Sequence, residues 1–89
     1  MIELEKYFDE DKWREFASLF EENAFVKILA GNLDNDIVLA SVIFGILEKQ
    51  SLIWIIQKIP ALDNLTPKEC LSEPKLKNRL KECLMRMPQ

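Results

Sequence analysis

Eighty-nine residues, 48% hydrophobic and 30% charged, describe one globular domain with a single modest core. Two glycines and four prolines are too few for the turns of an all-β fold. No histidine and only two cysteines exclude Cys-His and Ser-His catalysis, a disulfide framework and a closed zinc site within the chain.

In chain order, Asp9 reads as a helix N-cap, with Glu10 and Asp11 in the positively polarised first turn and Phe8 and Trp13 as a hydrophobic staple across it. Trp13, Phe16, Phe20 and Ala24 recur at helical spacing, with Leu19 widening the stripe. Phe25, Ile28 and Leu29 extend the apolar content to Gly31, a C-terminal stop, so this region is one helix or two. Asp34 or Asn35 is expected to cap the next element. Ile37 to Leu47 is apolar nearly all round and is read as a buried helix, because a lone strand has no evident partner. A short segment from Leu52 to Lys58 carries Trp54 and stops before Pro60.

The stretch Ile59-Pro60-Ala61-Leu62-Asp63-Asn64-Leu65-Thr66-Pro67 is the most informative. Pro60 biases Ile59 away from helix, and Asp63 and Asn64 tolerate left-handed turn conformations. Thr66-Pro67-Lys68-Glu69 is a capping box with proline at the first helical position, opening a short helix to Leu71. After Ser72-Glu73, a last helix is expected from Pro74 to Met87. Its apolar stripe is Leu76, Leu80, Cys83, Leu84 and Met87, and Lys75, Lys77, Arg79, Lys81 and Arg86 cover the rest. The fold class is therefore all-α, a small single-domain bundle of four to six helices.

The net charge of −3 is unevenly divided: residues 1–48 hold eleven acids against four bases, −7, and residues 49–89 hold eight bases against four acids, +4. Either the two halves complement each other, or the basic half meets an acidic partner. Lys75, Arg79 and Arg86 share one side of the last helix and, with Met87, are the candidate partner-binding residues. Arg79 and Arg86 lie off the apolar stripe, so changing both to Glu is expected to leave folding intact. Cys70 and Cys83 read as small core hydrophobes. Isolated Gly31 and Gly45 make no phosphate-cradling loop. No metal, cofactor or enzymatic activity is expected, and nucleic acid is a poor partner for the acidic N-terminal half. Glu3, Glu5 and Lys6 interrupt any leader, and the Ile37–Leu47 run is short of the ~20 residues that span a membrane, so a cytoplasmic protein is expected.

From about Ser41 to Pro88 the chain resembles the toxin-binding domain of Xre/MbcA/ParS-type bacterial antitoxins. That family carries a Val-Phe-Gly-like turn, a Trp eight to ten residues later, a Pro-x-Leu-Gly-Gly-x-Thr-Pro segment, a short helix ending in Leu-Leu and a final helix. The corresponding residues are Ile43-Phe44-Gly45, Trp54, the segment Pro60 to Pro67 with Leu62 and Thr66, and Cys70-Leu71 beside Glu69. Asp63-Asn64 replaces Gly-Gly. Residues 1–40, acidic and helical, are short and wrongly charged for the family's usual helix-turn-helix. The resemblance implies neutralisation of a cognate NAD-consuming or ADP-ribosylating toxin by binding over its active site, as a monomer or homodimer. A small helical adaptor or phage or effector protein with another protein partner is the alternative, and a compact DNA-binding repressor a further one.

Overall fold

A side chain closes the open amides at the start of each of the first three helices. Asp9 Oδ1 accepts from the amides of Asp11 (2.9 Å) and Lys12 (3.2 Å), opening α1, Glu10–Ala17. Asn23 Oδ1 accepts from Val26 at 2.9 Å and opens α2, Ala24–Gly31. Asp36 Oδ1 accepts from Leu39 at 3.0 Å and opens α3, Ile37–Leu47. The computed structural model describes residues 4–87. Glu3 and Pro88, used in the sequence reading, lie outside them.

The acidic region is thus two helices. The chain leaves α1 through amides that Leu19 and Phe20 donate to Phe16 and Ala17, which turns Leu19 out to 72% exposure, off the stripe it was expected to widen. Ala24 likewise begins the second helix and is exposed, so it does not continue the Trp13–Phe20 row. The expected cap at Asp34 or Asn35 falls one or two positions later, at Asp36. Both residues are left-handed (φ 55° and 61°) and reverse the chain so that Asp36 can cap.

Leu39, Ala40, Ser41, Val42 and Ile43 of α3 are buried against α2 and the other helices, as its all-round apolarity predicts. Phe20 lies on this helix at Gly45: a Cβ there would sit 2.0 Å from Phe20 Cδ1. Glycine costs ~1 kcal/mol in a helix interior, and here it admits a ring onto the helix surface. A 3-10 turn, Glu48–Gln50, leads into one turn of helix, α4, Ser51–Trp54. By length and composition alone the 18 residues Ile37–Trp54 could cross a membrane. Their backbone breaks at Glu48 (φ 48°, ψ −120°), and the centre of α3 is packed inside the protein.

Two further 3-10 turns, Pro60–Leu62 and Glu69–Ser72, precede α5, Pro74–Arg86. Leu80, Cys83 and Leu84 of α5 are buried and Leu76 and Met87 half-buried, which places the expected stripe on the core. The opposite flank of α5 packs against an N-terminal 3-10 turn, Leu4–Tyr7, whose Leu4 is buried. The described residues form an all-α domain of five helices with a radius of gyration of 11.9 Å, close to the ~12 Å expected of a folded chain this long.

Candidate protein-binding surface

The segment between α4 and α5 is a tight reversal. Ile59 is extended (φ −108°, ψ 119°), as the following proline requires, and its amide donates to the Leu65 carbonyl at 3.0 Å. Asp63 and Asn64 are both left-handed (φ 58° and 62°), a conformation these two residue types tolerate without glycine. The capping box closes as expected: the Glu69 amide donates to Thr66 Oγ1 at 3.0 Å, and the Thr66 amide to Glu69 Oε1 at 2.9 Å. These hydrogen bonds hold the exposed Glu69 carboxyl below its usual range. Pro67, Leu62 and Trp54 are buried beneath the turn.

Asp63 also has a use that glycine could not serve. Its carboxylate accepts from Nη1 of Arg79, whose Nε and Nη2 donate to Glu5 Oε1 (2.6 Å) and Oε2 (3.1 Å). The Arg79 guanidinium and the Glu5 carboxylate are each only 7% exposed. The fork-to-carboxylate pairing from Arg79, working against burial, lowers Glu5 from 4.5 to about 2, and the same pairing holds Arg79 more firmly protonated.

For Arg79 this overturns the expectation that the basic side of α5 faces outward. Arg79 is buried, and Lys75 Nζ lies 3.7 Å from Glu5 while remaining largely exposed. Arg86 donates to Glu82 at 2.7 Å, and its guanidinium lies 5.2 Å from the Tyr7 ring centroid. The N-terminal 3-10 turn therefore encloses Arg79 and lies beside Lys75 and Arg86, which stay exposed. Lys77 pairs with Asp36 at 2.8 Å, and Lys81 sits over the rings of Phe8 and Trp13 at 5.6 and 5.3 Å. The Lys77 contact and the Leu39 amide outweigh burial and keep the Asp36 carboxyl below its usual range. Across the two halves, Glu5 pairs with Lys75 and Arg79, and Asp36 with Lys77. Arg79 is thus a structural residue, Met87 is partly packed on the core, and Lys75 and Arg86 keep accessible charge. A change of Arg79 to Glu would break the network, contrary to the expectation of intact folding.

The surface that the sequence reading passed over is α4. Ser51, Trp54 and Ile55 are buried, with the Ser51 hydroxyl donating to the Glu48 carbonyl at 2.6 Å. Leu52, Ile53 and Ile56 occupy the other side and are 39%, 53% and 64% exposed. The Ile56 amide donates to the Ile53 carbonyl at 3.2 Å, so the helical turn continues and the three side chains are neighbours. Five consecutive apolar residues, Leu52 to Ile56, were the available signal, since one turn of helix resting on a core cannot bury its whole circumference.

A groove of about 470 Å³ opens between α1 and the start of α3, floored by Trp13, Ala17, Ile37 and Ser41, with Lys81 at its edge. Burial pushes the Cys70 thiol up to about 11 and raises that of Cys83, which leaves both protonated and unreactive at neutral pH. Among the described residues no group of three or more Cys, Asp or Glu converges as a metal-ligand set. Comparison with family models, with characterised proteins and with solved structures finds no match for this chain.

Proposed function

We propose that this chain is a protein-binding domain acting as an antitoxin-type inhibitor in the cytoplasm, where it neutralises an NAD-consuming or ADP-ribosylating toxin by covering its active site. The observation that carries the protein-binding part is the apolar trio Leu52, Ile53 and Ile56, left in water on a helical turn whose other side is core. A turn apolar all round belongs in an interior, and a partner completes that interior. The antitoxin part rests on the resemblance of the segment Pro60 to Pro67, supported by the left-handed Asp63 and Asn64 and the closed capping box. A helical adaptor or phage or effector protein, using the same trio on another protein, is the second reading. DNA binding is disfavoured because α5 directs its bases to the chain's own acids and rings.

The test is co-purification with the product of a neighbouring toxin-sized reading frame, together with rescue of growth from that product. The double change Ile53→Asp with Ile56→Asp should keep the helical circular dichroism and lose both binding and rescue. Full binding by a folded double variant would refute the assignment of this surface. A bound partner that neither consumes NAD nor transfers ADP-ribose would leave the adaptor reading in place.

A further inference from the structure

The turn Leu4–Tyr7 reaches α5 with one buried apolar side chain and a set of charges. Leu4 is buried, while Lys6 and Tyr7 are exposed. The Glu5 carboxylate accepts from both Nε and Nη2 of Arg79, Lys75 Nζ lies 3.7 Å from it, and Arg86 lies over the Tyr7 ring. The turn joins the rest of the chain through Phe8 and the extended Asp9, whose own side chain caps α1. The start of α1 therefore does not need the turn in place. Elements with few buried apolar contacts are the ones that open locally, ahead of the core. Departure of the turn would not strand Arg79 either. Its Nη1 stays with Asp63, whose side chain is 45% exposed, and the freed Glu5 carboxylate enters water. What the turn leaves behind is a guanidinium edge held in place by Asp63, with Lys75 beside it and the recess of Leu4 in the core next to it. Glu82 does not compete for that edge, because it is engaged with Arg86. Two cations against one shared acid, next to an apolar recess, make a preorganised seat for a carboxylate and an adjacent apolar side chain.

We propose that the N-terminal turn is an autoinhibitory latch, in which Leu4 and Glu5 occupy a seat on α5 that a partner protein takes with its own adjacent apolar and acidic side chains. The built-in occupant specifies the chemistry of the incoming one: a carboxylate for the Arg79 fork and an apolar neighbour for the Leu4 recess. The seat involves none of Leu52, Ile53 and Ile56, so it stands or falls separately from the surface on α4. Because the latch is tethered, it competes at an effective concentration on the order of mM. A partner segment binds only the unlatched fraction, and its apparent affinity is lowered by that fraction.

Opening is read in the native chain by phenylglyoxal labelling of Arg79, mapped by mass spectrometry across sub-denaturing urea. Alkylation of the buried thiols of Cys70 and Cys83 in the same solutions reports global unfolding. Arg79 labelling should depend on urea far less steeply than thiol labelling, since lifting one turn exposes little surface. Equal slopes would make the turn inseparable from the fold and overturn the proposal. The seat itself is probed in the full chain carrying Leu4→Ala with Glu5→Gln, its circular dichroism recorded. The probes are a peptide of residues 1–8, Met-Ile-Glu-Leu-Glu-Lys-Tyr-Phe, and the same peptide with Glu5→Gln. The first peptide should shield Arg79 of the variant from labelling, and the second should do so about tenfold less well. The native chain, already latched, should need at least about tenfold more of the first peptide. Equal shielding by the two peptides, or equal affinity for native and variant chains, overturns the latch. If the variant does not fold, the urea slopes of the native chain decide alone.

Discussion

At the scale of single residues, the Glu5–Arg79–Asp63 cluster decides more than any other polar group. A buried pair broken from one side costs about 3–5 kcal/mol, although here Lys75, 3.7 Å from Glu5, and the half-exposed position of Asp63 soften the loss. Arg79→Met should therefore destabilise strongly, in contrast to changes at the exposed Lys75. The pH dependence follows from Glu5, whose folded value of about 2 lies below its ordinary 4.5. The folded state binds this proton more weakly than the unfolded state, so the contribution is complete above 4.5 and is lost as pH falls towards about 2. The stability gap between the native chain and Glu5→Gln, read from urea midpoints, should be flat at higher pH and shrink across that window. A gap unchanged through it would show that the pair's charge is not what stabilises the fold. Thr66 acts more locally. With its hydroxyl accepting from the Glu69 amide at 3.0 Å, Thr66→Ala should cost about 0.5–2 kcal/mol. An unmoved denaturation midpoint would contradict the cap.

At the scale of elements, α3 and α4 differ in how their apolar circumference is covered. α3 is buried from Leu39 to Ile43 while Val38 is exposed, and the Phe20 ring rests on Gly45. Gly45→Ala sets a helix-propensity gain of up to ~1 kcal/mol against overpacking, which costs about 1–3 kcal/mol. With the new Cβ so deep in the ring, destabilisation should win. Phe20→Ala in the same chain should make the Gly45→Ala step neutral or favourable, a coupling that a double-mutant cycle measures directly. Additive effects would mean that the ring and the glycine do not meet. α4 is enclosed on one side only, which is why the change of Ile53 and Ile56 to Asp is expected to alter binding without altering the helix content.

At the scale of the whole molecule, part of the uneven charge is matched internally. Glu5 and Asp36 from the acidic half hold Arg79 and Lys77 of α5, and Phe8, Trp13 and Tyr7 receive Lys81 and Arg86. The N-terminal turn and the last helix, more than seventy positions apart, thereby close the fold. Leu52, Ile53 and Ile56 around α4 remain exposed, as do Leu19, Ile28 and Val38 elsewhere on the surface.

The all-α class, the cap at Asp9, the capping box at Thr66 and Glu69, the reversal at Asp63 and Asn64 and the stripe of α5 were legible because each depends on neighbours within a few positions. Backbone sterics and helical periodicity act at that range, and no tertiary contact had to be known. The break between α1 and α2 was left open, and the capping role of Asp36 was placed one or two residues early, since several Asn and Asp residues in a row can each cap or turn. The fate of charges and of surplus apolar residues was a tertiary matter. Periodicity puts Arg79 off the apolar stripe, but only the docking of Leu4–Tyr7 against α5 encloses it with Glu5. Likewise the five apolar residues from Leu52 to Ile56 read alike in sequence. The packing of Trp54 and Ile55 into the core is what left Leu52, Ile53 and Ile56 outside, because a helical turn lying on a surface has only one side to bury.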